Sequence, residues 1–212
     1  MPVDQLQYPV NLIIAGRRCL VVGGGTVARR KIDGLLACGA GVTVVAPDLD
    51  PVVAAHAEAG ELAWLARRYA TGDVDGYRLV VAATDDPAVN RTVYEDAEAR
   101  GIWVNAADEP SSCSFTLPSV VRQGPIMVTV STGGHSPALS TWLRRHVDQE
   151  LGPEYVVLVE LLSEERASIK AAGGSTEGLD WLSALDSNML DLIRAGEIGR
   201  ARERLQACLS SS

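Results

Sequence analysis

The residues best suited to bind a nucleotide lie near the start of the chain, in a run of glycines. Gly23, Gly25 and Ala28 form a G-x-G-x-x-A motif, directly after the apolar run 19–23 and at the predicted start of a helix. The first glycine permits a tight turn, the second lets a pyrophosphate approach the backbone, and the small third residue lets helix and strand pack closely. A glycine turn without a ligand is the alternative. The motif predicts binding of NAD through Gly23, Gly24, Gly25, Thr26, Val27 and Ala28.

The ribose end of such a site is expected about 20 residues later, after the second strand. Asp48 is the candidate for the ribose hydroxyls, although it lies slightly late, so that a backbone contact could replace it. The basic run 29–31 at the start of the first helix could take a 2′-phosphate, or it could be a solvated helix face. The sequence leaves the choice between NAD and NADP open.

Polar residues also follow the fourth and fifth predicted strands, where ligands bind in open α/β sheets. After the fourth strand, Thr84 and Asp85 are candidates for cofactor contacts, although helix capping before Pro87 is the default interpretation of Asp85 and Asp86. After the fifth strand, Asn105 is a further cofactor candidate. Asp108, three residues further on, has no obvious helix to cap, so it is the preferred general acid or base, with a turn carboxylate as the alternative.

A turn rich in small and hydroxyl residues, STGGHSP at 131–137, precedes a predicted helix. Its N–H groups suit a carboxylate or phosphate, which makes the turn a candidate substrate-binding segment. A second reading, compatible with the first, makes Ser136 the helix N-cap with Pro137 at the first helical position. The candidate substrate-binding residues are Ser131, Thr132, Gly133, Gly134 and Ser136.

No metal centre is predicted. The three histidines are scattered, the four cysteines form no CxxC pair, and neither a P-loop nor a nucleophile elbow occurs. Cys19 and Cys38 lie in apolar runs and are expected in the core.

The elements that position these residues alternate between strand and helix. Apolar runs at 19–23, 42–46, 61–66, 79–83 and 102–105 read as parallel strands, with helices at 26–39, 51–59 and 88–100. The alternation ends near residue 112. Two strands at 114–122 and 126–131 read as a hairpin, and helices follow at 137–151, 153–171, 177–195 and 197–209. The helix 177–195 would place Leu182, Leu185, Met189 and Ile193 on one face.

The fold class is therefore α/β: a Rossmann-type parallel sheet, a small strand-containing dimerisation region and a C-terminal helical domain. We expect domains at 1–112 for NAD binding, 113–150 for dimerisation and 151–212 for a helical domain. Strands outside the main sheet need a partner surface, so a homodimer through 114–131 is expected.

Composition limits the possible partners. The 212 residues carry 19 basic and 27 acidic groups, a net charge of −8, which disfavours nucleic acid and anionic membranes. No apolar stretch is long enough to span a membrane and no signal peptide is visible, so a cytoplasmic protein is expected. Among the three expected domains, 113–150 is the one without an acidic excess, because it carries three basic and two acidic groups.

Five motifs in order resemble the siroheme synthase dehydrogenase/chelatase family, whose members include precorrin-2 dehydrogenases. They are the segment 8–47 around VVGGGTVARRK, LVVAATDDPAVN at 79–90, VNAAD at 104–108, SFTLP at 114–118 and STGGHSP at 131–137. Together they extend over nearly all of residues 8–150. The helical tail resembles the family only in length and character.

The resemblance implies NAD-dependent oxidation of precorrin-2 to sirohydrochlorin, with Asp108 at the position of the family's acid/base. It also implies a homodimer, a helical domain that closes over the tetrapyrrole and, in some members, ferrochelation with Fe²⁺ as substrate. His135 stands at a variable position and has no implied role. Cys113, five residues after Asp108, could touch iron, although a loop thiol with no role is favoured. An NAD(H)-binding redox sensor without catalysis and a dehydrogenase without chelatase activity are the alternatives, and the choice between Fe²⁺ and Co²⁺ stays open.

Overall fold

The computed structural model describes residues 6–107 and 109–210, which divide into two compact units. The first unit contains the residues up to Leu117 together with Gly133–His135. The second contains Pro118–Thr132 and the residues from Ser136 onward. In the described part of the chain, no helix combines the length and apolar character needed to cross a membrane.

The first unit is built on five parallel strands in the order β3-β2-β1-β4-β5. Because β1 lies between β2 and β4, the chain changes direction across the sheet at β1, and the carboxyl ends of β1 and β4 form the usual ligand crevice of such folds. The predicted Rossmann-type sheet is confirmed. Its elements are β1 Arg18–Val22, α1 Thr26–Ala37, β2 Gly41–Val45, α2 Pro51–Glu58, β3 Leu62–Leu65, β4 Leu79–Ala82, α3 Pro87–Glu98 and β5 Trp103–Ala106.

The two central strands β1 and β4 are apolar and buried from Cys19 to Val22 and from Leu79 to Ala82, because helices cover both faces of the sheet. In β1, Cys19 and Val21 belong to the core beneath α1 and α2, whereas Leu20 and Val22 belong to the core beneath α3. This alternation follows from the two-residue period of a strand. Cys19 is buried as predicted, but Cys38 ends α1 and is exposed, so its predicted place in the core is wrong.

The second unit begins with a hairpin of β6 Ser119–Gln123 and β7 Ile126–Val130, as predicted. The first strand begins five residues later than expected, because Ser114 and Phe115 bond to β5 instead. The helices are α4 Pro137–Glu150, α5 Glu154–Ala171, α6 Trp181–Leu185, α7 Met189–Arg194 and α8 Ile198–Ser210. A separate core joins α5 to α8 through side chains such as Leu158, Met189 and Leu205.

The single helix predicted for 177–195 is wrong. Asn188 adopts a left-handed conformation with φ 59°, and the chain breaks there into α6 and α7. Asparagine tolerates this conformation better than most residues. The break buries Met189 but leaves Leu182 73% exposed, so the predicted continuous apolar face does not form.

Candidate active site

Two of the three glycines after β1 are required by the protein's own backbone. Gly23 has φ +117°, and a Cβ there would lie 2.3 Å from the carbonyl oxygen of Ala83. A Cβ on Gly24 would lie 2.2 Å from the carbonyl oxygen of Asp48. Both distances are far shorter than any normal van der Waals contact, so the turn packs directly against the loops that follow β2 and β4.

Gly25 is different, because nothing in the described protein requires it. Its φ of −84° and ψ of −172° suit any residue, and within the described residues no atom lies within 4 Å of a Cβ built there. Gly25 is the N-cap of α1, and among described residues no side chain caps this helix and no acidic group occupies its first turn. Free N–H groups at an uncapped helix start are suited to a phosphate. The geometry therefore fits the pyrophosphate of a dinucleotide.

The remaining residues of the motif start α1 in the expected way. Gly25 and Thr26 are exposed, Val27 is half-buried, and Ala28 is fully buried against the sheet. The small side chain of Ala28 lets the helix approach β1 closely, as the motif predicts. The candidate cofactor residues 23–28 thus form one continuous turn and helix start, of which Gly25 and Thr26 are exposed.

The loop after β2 lies beside this turn. The Asp50 amide donates to the Gly24 carbonyl at 2.7 Å, and the Asp48 side chain is exposed. Asp50 also caps α2 through Val52 N at 2.9 Å and lies 3.6 Å from the Arg29 guanidinium. Sequence reasoning named Asp48 and missed Asp50, whose position before Pro51 already resembles an N-cap.

The loop after β4 is bonded to its own helix. Thr84 Oγ1 donates to Asn90 Oδ1 at 2.8 Å, Thr84 N donates to the same oxygen at 3.1 Å, and Asn90 Nδ2 donates to Thr84 O at 3.0 Å. Asp86 caps α3 through Ala88 N, which confirms that alternative for Asp86. Asp85 is exposed at the tip of the loop. The role of Asn90, which is buried, was not anticipated, because no sequence pattern marks it.

The loop after β5 folds back onto its strand. Asn105 Nδ2 donates to Phe115 O at 3.0 Å and to Cys113 Sγ at 3.4 Å, so its amide nitrogen is engaged within the protein. Ser114 Oγ accepts from Val104 N at 2.7 Å. Asp108, the predicted acid/base, lies outside the described residues. These hydrogen bonds hold the end of β5 against residues 113–115.

Two further polar groups belong to this loop, the thiol of Cys113 and the hydroxyl of Ser112. Burial raises the pKa of the Cys113 thiol, and a backbone hydrogen bond with Ala106 and the positive charge of Lys31 act against that rise. Among the described buried side-chain polar atoms, Ser112 Oγ lacks a hydrogen-bond partner. Ala107 and Phe115 pack against the core that contains Ala28 and Ile32.

The turn after β7 has the capping geometry expected of it. Ser136 Oγ accepts from Leu139 N at 3.1 Å and so caps α4. Thr132 Oγ1 accepts from Ser136 N at 3.2 Å and donates to Ser136 O at 3.1 Å. Gly133 and Gly134 both have positive φ, 58° and 80°. The substrate role of this turn and of Ser131 stays a prediction.

The structure brings the cofactor candidates of the first unit to one edge of the sheet. Gly23 approaches Thr84, Gly24 approaches Asp48, and Asn105 lies near the carboxyl end of β5, the strand beside β4. The cofactor role of each residue stays a prediction. Across residues 6–107 and 109–210, no group of three or more His, Cys, Asp and Glu side chains forms a possible metal site.

Comparisons with known proteins agree with this geometry. Residues 10–119 match the family model NAD_binding_7, described as "Putative NAD(P)-binding". The siroheme synthase of Chromobacterium violaceum is 40% identical over 201 residues, which are 94% of this chain and 43% of that protein. The siroheme synthase of Methylobacillus flagellatus is 37% identical over 204 residues, 95% of this chain and 44% of that protein. The chain thus spans less than half the length of these curated relatives.

A solved structure matches over almost its whole length. The protein titled SirC, precorrin-2 dehydrogenase, aligns with a TM-score of 0.75 and 30% sequence identity, and the match covers 95% of this chain and 98% of that one. The similarity therefore extends through the sheet, the hairpin and the C-terminal helices. From its sequence, its sheet and its glycine turn, this chain belongs to the NAD(P)-binding family of that model and to the family of the precorrin-2 dehydrogenase SirC.

Proposed function

We propose that this chain oxidises precorrin-2 to sirohydrochlorin with NAD as the hydride acceptor. The observation that carries the proposal is the match to the precorrin-2 dehydrogenase SirC, which extends over 98% of that chain. The open side of Gly25 and the uncapped start of α1 support NAD binding independently, because the described protein gives no other reason for a glycine there.

Each part of the carboxyl edge has a role in this proposal. Residues 23–28 hold the pyrophosphate, Asp48 faces the ribose, and the loops of Thr84, Asp85 and Asn105 face the nicotinamide half. Bound NAD supplies the hydride-accepting carbon. Asp108 takes the proton released as the tetrapyrrole is oxidised, because a carboxylate is ionised at neutral pH and can act as the base.

The substrate side of the site is assigned to the turn of Ser131, Thr132, Gly133, Gly134 and Ser136. Precorrin-2 is a polycarboxylate, and residues 113–150 carry three basic and two acidic groups while the rest of the chain is acidic. This segment repels such a substrate least. We assign residues 1–112 to cofactor binding, 113–150 to dimerisation and 151–212 to closing over the tetrapyrrole.

Anaerobic incubation with precorrin-2 and NAD tests the proposal. NADH absorbance is expected to rise in step with the sirohydrochlorin spectrum, and Fe²⁺ added afterwards tests ferrochelation, which we include as a second reaction of the same site. Tight NADH binding without turnover would instead favour the redox sensor. Product formation without a metal-dependent spectral change would leave a dehydrogenase without chelatase activity.

We further propose a homodimer formed through the hairpin and α4. Val120, Leu139 and Trp142 are exposed in the second unit, Trp142 by 61%, and apolar side chains at such exposure favour a partner surface. Sedimentation is expected to give twice the chain mass of 22.5 kDa at micromolar concentration. A stable monomer would contradict this assembly.

A further inference from the structure

The loop after β2 holds a charge arrangement that bears on which dinucleotide fits, an inference that rests on the proposed cofactor function. In Rossmann folds the adenosine ribose lies near the end of β2, where an acid favours the free 2′-hydroxyl of NAD and an arginine accommodates the 2′-phosphate of NADP. Here the loop 46–50 packs against the glycine turn, through Asp50 N bonded to Gly24 O at 2.7 Å. Charges in this loop therefore lie beside the predicted ribose site.

Arg29 is the arginine that could reach a 2′-phosphate, since it lies in the first turn of α1. Its guanidinium is 3.6 Å from the Asp50 carboxylate, and the two side chains are 38% and 15% exposed. The same Asp50 oxygen accepts the Val52 N–H at 2.9 Å, which fixes the carboxylate at the start of α2. Asp50 thus cannot move away from Arg29 without giving up the cap.

We propose that Asp50 is a specificity-determining residue that makes this site select NAD over NADP. It acts in two ways: it holds the Arg29 guanidinium in an ion pair, and it adds a fixed negative charge next to the place of a 2′-phosphate. Exposed Asp48 adds a second negative charge on the same loop. NAD, whose 2′-hydroxyl is free, neither needs the Arg29 guanidinium nor carries a phosphate that the Asp50 carboxylate would repel.

The variant Asp50→Asn separates charge from folding. Asparagine caps helices about as well as aspartate, so α2 keeps its cap while Arg29 loses its partner. The matched control is Glu58→Gln, which removes one exposed carboxylate at the other end of α2. The readout is the dissociation constants of NADH and NADPH, from fluorescence titration of the whole chain at fixed salt, with no turnover required.

The wild type is expected to bind NADH more tightly than NADPH. Asp50→Asn is expected to tighten NADPH binding about tenfold, a factor between those of a close charge pair in bulk water and near a protein surface, and to leave NADH within about threefold. Glu58→Gln should change neither constant. In the double variant Asp50→Asn with Arg29→Ala, the gain for NADPH should become clearly smaller, because the freed guanidinium supplies part of it and the removed negative charge supplies the rest.

An Asp50→Asn protein with unchanged selectivity, or a wild type that binds both dinucleotides equally, would overturn the role of Asp50 while leaving the cofactor function intact. A gain for NADPH that is just as large without Arg29 would overturn the ion-pair part and leave only simple charge repulsion. A wild type that binds neither dinucleotide would overturn the proposed function itself, together with this inference.

Discussion

Two parts of the same sheet edge differ in how their hydrogen-bonding groups are used. After β1, within the described residues, the start of α1 has no side-chain cap and Gly25 faces open space. After β4 and β5, Asn90 and Asn105 bond back to Thr84 and Phe115. The first part is shaped to receive a ligand, whereas the second is stiffened by its own side chains. A hydride-transfer site needs both, because the cofactor must bind and the reacting groups must be held in fixed positions.

The largest expected effect separates chemistry from cofactor binding. Removing a general acid or base costs about 10² to 10⁴ in rate, so Asp108→Ala should lose turnover of precorrin-2 by that factor. NADH affinity should be retained, because the glycine turn is untouched. Glu109→Ala, which removes the neighbouring carboxylate, is the matched control and should stay within a few-fold of wild type. Steady-state rates and NADH titration check both. An Asp108→Ala enzyme with near-normal turnover would point to Asp85 or Asp86 instead.

Next in size is the contrast between two glycines of one turn. Gly23→Ala should lower the free energy of unfolding by roughly 2–5 kcal/mol, because its Cβ collides with Ala83 O and φ is positive. Gly25→Ala should change that free energy by less than about 0.5 kcal/mol, as at an unconstrained surface position. It should nevertheless weaken NADH binding. Urea unfolding and NADH titration measure the two effects, and equal destabilisation by both variants would contradict the assignment of Gly25 to the ligand.

The hydrogen bonds that hold the loop after β4 predict a smaller loss in the free energy of unfolding. Asn90→Ala removes three bonds to Thr84 and leaves the N–H and the carbonyl of Thr84 without these partners, at a cost of about 1–3 kcal/mol. Thr92→Ala on the same helix removes only an exposed bond to Ala88 O and should cost less than about 0.5 kcal/mol. Chemical denaturation compares the two variants. A neutral Asn90→Ala would mean that the loop does not depend on this amide.

The smallest expected effect concerns pH and lies at the far end of α3 from the capping Asp86. Burial of Asp96 acts to raise the pKa of its carboxyl, but bonds from Gly72 N, Tyr69 and Arg100 outweigh it, so the pKa is lowered. A lowered folded-state pKa stabilises the protein above the unfolded value of about 3.9 and loses that contribution as pH falls through the folded value. Water screens the pair because the Arg100 side chain is 34% exposed.

Unfolding measured at pH 6 and pH 3 tests this assignment. The stability difference between wild type and Asp96→Asn should shrink at the lower pH, and NADH affinity at pH 6 should not change. Glu95→Gln, an exposed neighbour on the same helix, serves as the control. A difference that stays constant between the two pH values would show that Asp96 contributes through packing rather than charge.

Much of the first unit is determined by local sequence. The run CLVVG at 19–23 must be a buried strand that stops at glycine, and the order strand, glycine turn, helix follows from neighbouring residues alone. Asp86 and Ser136 were identified as possible caps for the same reason, since a cap and its helix are adjacent in sequence. The hairpin around Gly124 is likewise a local turn.

Tertiary structure decided the features that depend on residues distant in sequence. Gly24 is required by Asp48 O, Asp50 pairs with Arg29, and Ser114 bonds to Val104 of β5 rather than extending the hairpin. The division of 177–195 at Asn188 belongs here too, because helical periodicity continues through it and only the packing of Met189 into the α5–α8 core selects the break. Sequence pattern reports the preferences of neighbouring residues. Contacts across the fold choose among those preferences, because they set which groups are buried and which remain free for a ligand.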